Sequence, residues 1–192
     1  MTTEIAGYAA GVLGLLAFIP YVRATLTGRS KPERASWLIW TIADITIISS
    51  LLAKGATDSL LLTIAFGLGD LTIFLLSFKY GYGGKFLKRD YIGLAGVVLA
   101  LLLWYLTNEP AVAVFLIIII DSIGAGLTVI KSYEDPKSEN MTRWVLDGFA
   151  SILACVAVGQ LDWVLLAFPL YVLLESIVIV GTIYVSPNRN KG

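Results

Sequence analysis

The reading of the fold turns on AVFLIIIIDSIGAGL, Ala113 to Leu127, in which eight apolar residues run into an aspartate and then into more apolar sequence. Asp121 stands where a charge is hardest to solvate, and the rest of the chain says what kind of interior that is. Of 192 residues, 57% are hydrophobic and 15% charged. Soluble globular domains run at about 45–50% and about 25%. Long uncharged blocks point to a polytopic membrane protein rather than an aggregating soluble core. The chain has no histidine and one cysteine, Cys155. Neither an internal disulfide nor a thiolate–imidazole zinc site can therefore form. A formal net charge of zero leaves no footprint for nucleic acid.

A helix crossing a hydrocarbon layer roughly 30 Å thick needs about 20 mostly apolar residues. Residues 5–22, 35–53, 59–78, 91–108, 110–130, 144–161 and 163–185 qualify, which predicts an all-α integral membrane protein with seven transmembrane helices. The first run follows Glu4 with no basic segment before it and reads as a span rather than a cleavable signal. The connections are short, leaving no extramembrane domain for a separate activity. Bases alternate between loops: Arg23, Arg29, Lys31 and Arg34 in the first, Lys79, Lys85, Lys88 and Arg89 in the third, Lys131, Lys137 and Arg143 in the fifth, Arg189 and Lys191 in the tail. The second loop holds Lys54 alone, and those at Asn108-Glu109 and Gln160-Asp162 hold none. The positive-inside bias then places the N-terminus outside and the C-terminus in the cytoplasm, the membrane being read as a prokaryotic plasma membrane. Trp37, Trp104, Tyr105 and Trp163 mark span edges.

The chain also repeats itself. YVRATLTGRSKPERASWLIWTIAD (Tyr21–Asp44) lies against TVIKSYEDPKSENMTRWVLDGFAS (Thr128–Ser151) without a gap at an offset of 107 residues. Trp37 falls on Trp144, both copies carry a basic loop of equal length, and two residues fewer in the next loop set Asp70 opposite Glu175. Three spans, one extra span and three more give a 3+1+3 order, in which an odd linker makes the halves parallel repeats. Residues 1–82 are read as the first three-helix repeat, 83–108 as the linker helix, 109–186 as the second three-helix repeat and 187–192 as a cytoplasmic tail.

FIPYVRATLTGRSKPERASWLIW (Phe18–Trp40) resembles the PQ-loop region of the SWEET, SemiSWEET and PQ-loop transporters. There a Pro-Gln pair ends the first span, followed by a basic Lys/Arg-Ser loop and an aromatic-rich second span. Pro20 matches the family proline, Tyr21 stands where glutamine is usual, and the second copy has Leu127-Thr128 with no proline. The resemblance implies a distant member of that superfamily working by alternating access.

Asp44, Asp70, Asp121 and Glu175 lie near the middle of their spans, and Asp147 about a turn inside the cytoplasmic edge. One acid at the bilayer centre costs about 2.5–3.5 kcal/mol, and four facing lipid on the order of 10 kcal/mol. They are expected to face inward, carry protons or be neutralised, and no Lys or Arg occupies the middle of a span to pair with them. As packing, each would donate a hydrogen bond when protonated. As function, such acids exchange a proton or a cation, and four of them, two repeat-related, favour function. Asp121 and Glu175 are the coupling candidates for protons or a monovalent cation. Trp37, Trp40 and Asp44 share one helical face at i, i+3, i+7, and Trp144, Asp147 and Ser151 trace the same face of the sixth span. Trp40, Asp44, Asp70 and Asp147 are the substrate-binding candidates, suited to stacking, hydrogen bonding or cation–π contact. Trp37 and Trp144 read as interface anchors. GLGD (67–70) and GAG (124–126) read as close-packing sites. Pro20 and Pro169 are the gating candidates, Pro169 as a kink in the seventh span.

These residues lead to a transporter of a small neutral or cationic solute. A small-cation channel using the acids as a ring and a receptor or sorting protein that binds without flux stay open beside it. No enzyme and no cofactor are expected, since no nucleophile–base pair, phosphate-cradling loop or metal cluster is visible. A retinal sensor is excluded because Leu161–Val185 contains no lysine. The expected partners are the solute, the coupling ion and lipid, and a complete 3+1+3 chain can form its pathway as a monomer.

Overall fold

The computed structural model describes residues 2–53, 58–83, 85–107 and 110–189. Lys54, Asn108, Glu109 and Lys191, used above for orientation, lie outside the described residues, as does the side chain of Trp104. Among the described residues the chain is all-helical: α1 (Thr3–Leu26), α2 (Arg34–Ala53), α3 (Asp58–Tyr80), α4 (Lys88–Thr107), α5 (Pro110–Glu134), α6 (Met141–Val158) and α7 (Trp163–Val185), with a 3-10 turn at Pro136–Ser138. Over their described residues, five of them (α1, α3, α5, α6 and α7) are long and apolar enough to cross a membrane.

The helices overrun their apolar blocks, mostly at the basic end. α1 continues to Leu26 and α5 to Glu134, while α4 starts at Lys88 and α6 at Met141. Arg23, Arg34, Lys131 and Arg143, read from sequence as loop bases, are therefore helical. Hydropathy marks where an apolar run stops, but a helix stops where its end groups find partners. Asn140 accepts from the Arg143 N–H at 2.9 Å and starts α6 three residues before the expected span. Gly159, left-handed at φ 69°, ends α6 at Val158.

The helices pack in a closed order: α1 on α3, α3 on α2, α2 on α5, α5 on α7, α7 on α6 and α6 back on α1. α4 stands outside this ring, against α2 and α5. Exchanging α1 with α5, α2 with α6 and α3 with α7 turns each of these six neighbour pairs into another of the six. Where α1 meets α6, small residues allow close approach, and a Cβ added to Gly7 would stand 3.7 Å from the Ala157 Cβ.

Inside the ring, Phe18, Tyr21, Trp37, Trp40, Ile73, Trp144 and Ile179 form one apolar core. A second, including Ile39, Ala43, Val97, Leu116 and Ile120, seats α4 on α2 and α5. Trp37 and Trp144 are thus not interface anchors. They are 1% and 3% exposed, and Trp37 and Trp40 meet edge to face with their ring centroids 4.9 Å apart. The outer faces are apolar, with Val12, Leu16 and Ile19 of α1, Ile92, Leu99 and Leu102 of α4, and Leu174 and Ile177 of α7 all exposed. Such surface is costly against water and compatible with an integral membrane location.

The basic segments share one end of the bundle. The Lys31 N–H donates to the Ser138 carbonyl at 2.7 Å, and Tyr82 N–H to the Pro32 carbonyl at 2.9 Å. Arg89 bonds Glu134 at 2.8 and 3.1 Å, joining the start of α4 to the end of α5.

Candidate functional site

The ring encloses a cavity of about 370 Å³. All six ring helices line it: Phe18 from α1, Trp40 and Asp44 from α2, Phe66 and Asp70 from α3, Asp121 from α5, Arg143, Trp144 and Asp147 from α6, Phe168 and Glu175 from α7. None of its lining residues lies on α4. The six sequence candidates for substrate binding and coupling are therefore brought together in one place, although they are spread from residue 40 to residue 175.

Glycines make room for them. A Cβ on Gly124 would stand 2.9 Å from Trp40 Nε1, one on Gly67 3.2 Å from the Asp44 Cβ, and one on Gly69 2.6 Å from the Phe18 ring. The GLGD and GAG stretches thus seat cavity side chains, Gly126 excepted, since it has nothing within 4 Å.

The carboxyls are grouped. Asp44 lies beside Asp70 across α2 and α3, and Asp121 beside Glu175 across α5 and α7. An ionised carboxylate only accepts, so two of them side by side can bind each other only through a shared proton or cation. Tyr171 donates to Asp121 Oδ2 at 2.8 Å. Asp44 Oδ2 and Glu175 Oε1 are buried without a hydrogen-bond partner. The Trp40 indole N–H is also buried, turned towards Asp121 without closing a hydrogen bond.

Asp147 has a different partner. It forms an ion pair with Arg143 one turn earlier on α6. The Arg143 guanidinium lies 4.4 Å from the centroid of the Phe18 ring and 5.7 Å from that of Trp144. The expectation from sequence is that no base stands at mid-span; Arg143 lies instead in the first turn of α6, which begins before Trp144 and so carries it into the cavity beside Asp147. Sequence reading missed it because it counts as a loop base beside an apolar block. The signal present was its i, i+4 spacing to Asp147, which shares its helical face.

Of the proposed gating residues, Pro20 ties α1 to the start of α6, its carbonyl accepting from Asn140 Nδ2 at 3.3 Å. Pro169 lies within a continuous α7 and lines an adjoining groove with Gly7, Gly11, Ala150 and Ala154, which shares Phe66, Asp147, Phe168 and Val172 with the central cavity.

Between the cavity and the basic end lies a buried polar layer. Glu139 pairs with Lys131 and accepts from Trp144 Nε1 at 3.0 Å, the Asn140 N–H at 2.9 Å and the Tyr21 hydroxyl at 3.4 Å. Lys131 Nζ also donates to the carbonyls of Lys31 and Ser138 at 3.1 and 3.3 Å. On the other side, the Ser36 hydroxyl donates to the Gly124 carbonyl at 2.7 Å, and Thr128 Oγ1 donates to Ser36 Oγ at 2.9 Å. No group of three or more acidic or cysteine side chains suited to a metal ion occurs among the described residues.

Fold and site together define an all-helical protein, compatible with an integral membrane location, that carries an acid-lined central cavity. Compared with protein-family models, curated proteins and solved structures, the chain matches none of them.

Proposed function

We propose that this protein is a membrane transporter moving a small neutral or cationic solute through the central cavity by alternating access. The observation that carries the reading is that one cavity collects Asp44, Asp70, Asp121, Asp147, Glu175 and Trp40 from five helices of the ring. Buried acids inside a membrane bundle are expensive unless they serve a pathway. Asp121 and Glu175, side by side, are the coupling pair for a proton or monovalent cation.

The 3+1+3 organisation and the distant kinship with the SWEET and PQ-loop transporters belong to the same proposal. They are supported by the neighbour order, which maps onto itself when the two helix triplets are exchanged, and by the absence of α4 from the cavity lining. The outside placement of the N-terminus is supported by the gathering of basic segments at one end. The buried layer of Lys131, Glu139, Tyr21 and Trp144 lies between the cavity and the basic end, which favours a carrier over an open channel.

The test is charge movement in proteoliposomes on a solid-supported membrane, with tracer uptake in parallel, over a solute panel at two pH values. The expected outcome is a pH-dependent signal for one solute class, lost in Asp121→Asn and Glu175→Gln. Binding without current or uptake would move the assignment to a receptor. Conductance that does not saturate at millimolar solute would move it to a channel.

A further inference from the structure

Two buried bases stand one layer apart in this bundle, and they are held very differently. Lys131 has spent its three donors on Glu139 and on the carbonyls of Lys31 and Ser138, so it is fastened in place. Arg143 offers five N–H donors in a rigid fork, yet its one carboxylate partner is Asp147, and its Nε is buried without a hydrogen bond. Two aromatic rings flank it, the guanidinium lying over Phe18 and beside Trp144, and its charge also reaches Asp70 and Glu175 of the same cavity. A cation against a ring face with a carboxylate at its side is the arrangement by which proteins bind ammonium ions. Here the protein's own side chain fills it. The same cavity holds two carboxyl pairs, a free acceptor on Glu175 and the unpartnered indole N–H of Trp40, which is 7% exposed.

We infer that Arg143 is a tethered cation standing in for the substrate, and that the substrate is an organic ammonium ion which displaces it from Phe18 and Asp147. The inference rests on the transport reading and names the substrate class for that cavity. It also gives Arg143 a task in the cycle. An empty carrier with uncompensated carboxylates in its cavity would face a charge penalty on reorienting. With Arg143 on Asp147 the empty site is neutralised; in the loaded site the ammonium ion takes Asp147, and the displaced guanidinium is balanced by Asp70 and Glu175, which its charge already reaches. Because the site is then mostly self-occupied, the apparent affinity for an external cation is lowered by the fraction of time that Arg143 leaves it open.

The experiment uses three probes that share one ring and differ in charge: tyramine (cation), tyrosol (neutral) and 4-hydroxyphenylacetate (anion). Binding is measured by titration calorimetry on the full chain in nanodiscs, for wild type, Arg143→Gln and Arg143→Lys. Arg143→Gln is expected to bind tyramine about tenfold more tightly while its affinity for tyrosol stays unchanged. Arg143→Lys should bind tyramine about threefold more tightly, because an ammonium stacks on a ring less well than a guanidinium. The lysine variant keeps the charge, so it decides the matter if the glutamine variant does not fold. In vesicles, Arg143→Gln should keep tyramine–tyramine exchange but lose net tyramine uptake.

Tyramine binding that weakens or stays the same in both variants overturns the inference. So does an equal gain for tyramine and tyrosol, which would mean only that space was freed, and so does a failure of all three proteins to bind tyramine. Tighter tyramine binding with neither exchange nor uptake in any protein leaves the tethered cation standing and removes the transport reading. Flux without tighter binding does the reverse.

Discussion

Lys131 and Glu139 form an ion pair in which neither side chain has any exposure to solvent. The pair joins the end of α5 to the segment before α6, and Glu139 extends the link to Tyr21 on α1 and Trp144 on α6. Removing one member of such a pair strands a buried charge, which costs about 3–5 kcal/mol. Glu139→Ala should therefore unfold at clearly lower temperature in detergent, and Lys131→Met/Glu139→Gln should recover most of the loss. Melting followed by size-exclusion recovery checks both. A double variant as unstable as the single one would show that Glu139 acts through Trp144 and Tyr21 instead.

Tyr171 supplies a hydroxyl donor to Asp121 at 2.8 Å, from α7 to α5. Tyr171→Phe removes that donor and leaves the ring in place. The expected cost is about 1–3 kcal/mol for the acceptor left unsatisfied. Asp121→Asn/Tyr171→Phe should be less destabilised than the two single changes added together, a coupling that a double-mutant cycle on thermal stability measures.

Gly124 faces Trp40, and an added Cβ would stand 2.9 Å from Nε1 and 3.4 Å from the Ser36 carbonyl. Gly124→Ala must push the indole towards the cavity, at about 1–3 kcal/mol of overpacking. Gly126→Ala, with nothing within 4 Å, should be free of that cost. Tryptophan emission and melting temperature should both change in the first variant and hold in the second.

Glu33 stands just ahead of α2 and accepts from the Ser36 N–H at 2.7 Å, with the Ser36 hydroxyl oxygen 3.0 Å from its carboxylate. Burial pushes its carboxyl above its ordinary value near 4.5, and Asp90 adds to this, against the Ser36 hydrogen bonds and Lys131. An acid raised on folding binds more protons in the folded state. Its contribution is full below its unfolded value and is lost as pH rises through the folded one. Glu33→Gln keeps an acceptor for Ser36 and carries no charge. Its melting temperature should fall less than that of wild type between pH 5 and pH 8, with the two proteins closest at the acid end. A wild-type curve flat over that window rejects this account.

The number of helices and the positions of the cavity acids were legible in the sequence because both are local properties. Apolar run length predicts a helix wherever it falls, and an aspartate in such a run must be turned inward whatever the neighbours are. That is why Trp40, Asp44, Asp70, Asp121, Asp147 and Glu175 could be picked out before any contact was known, and all six line one cavity. Three things were decided only by tertiary structure. Asp44 meets Asp70, and Asp121 meets Glu175, because α2 packs on α3 and α5 on α7. Trp37 and Trp144 leave the membrane interface for the core because the aromatic faces of α1, α2 and α6 converge. Arg143 becomes a cavity residue because the closure of α6 onto α1 lays its guanidinium over Phe18. Hydropathy measures how a residue would sit in lipid or water, whereas these contacts depend on which helix faces which, and a single sequence read along its length does not contain that.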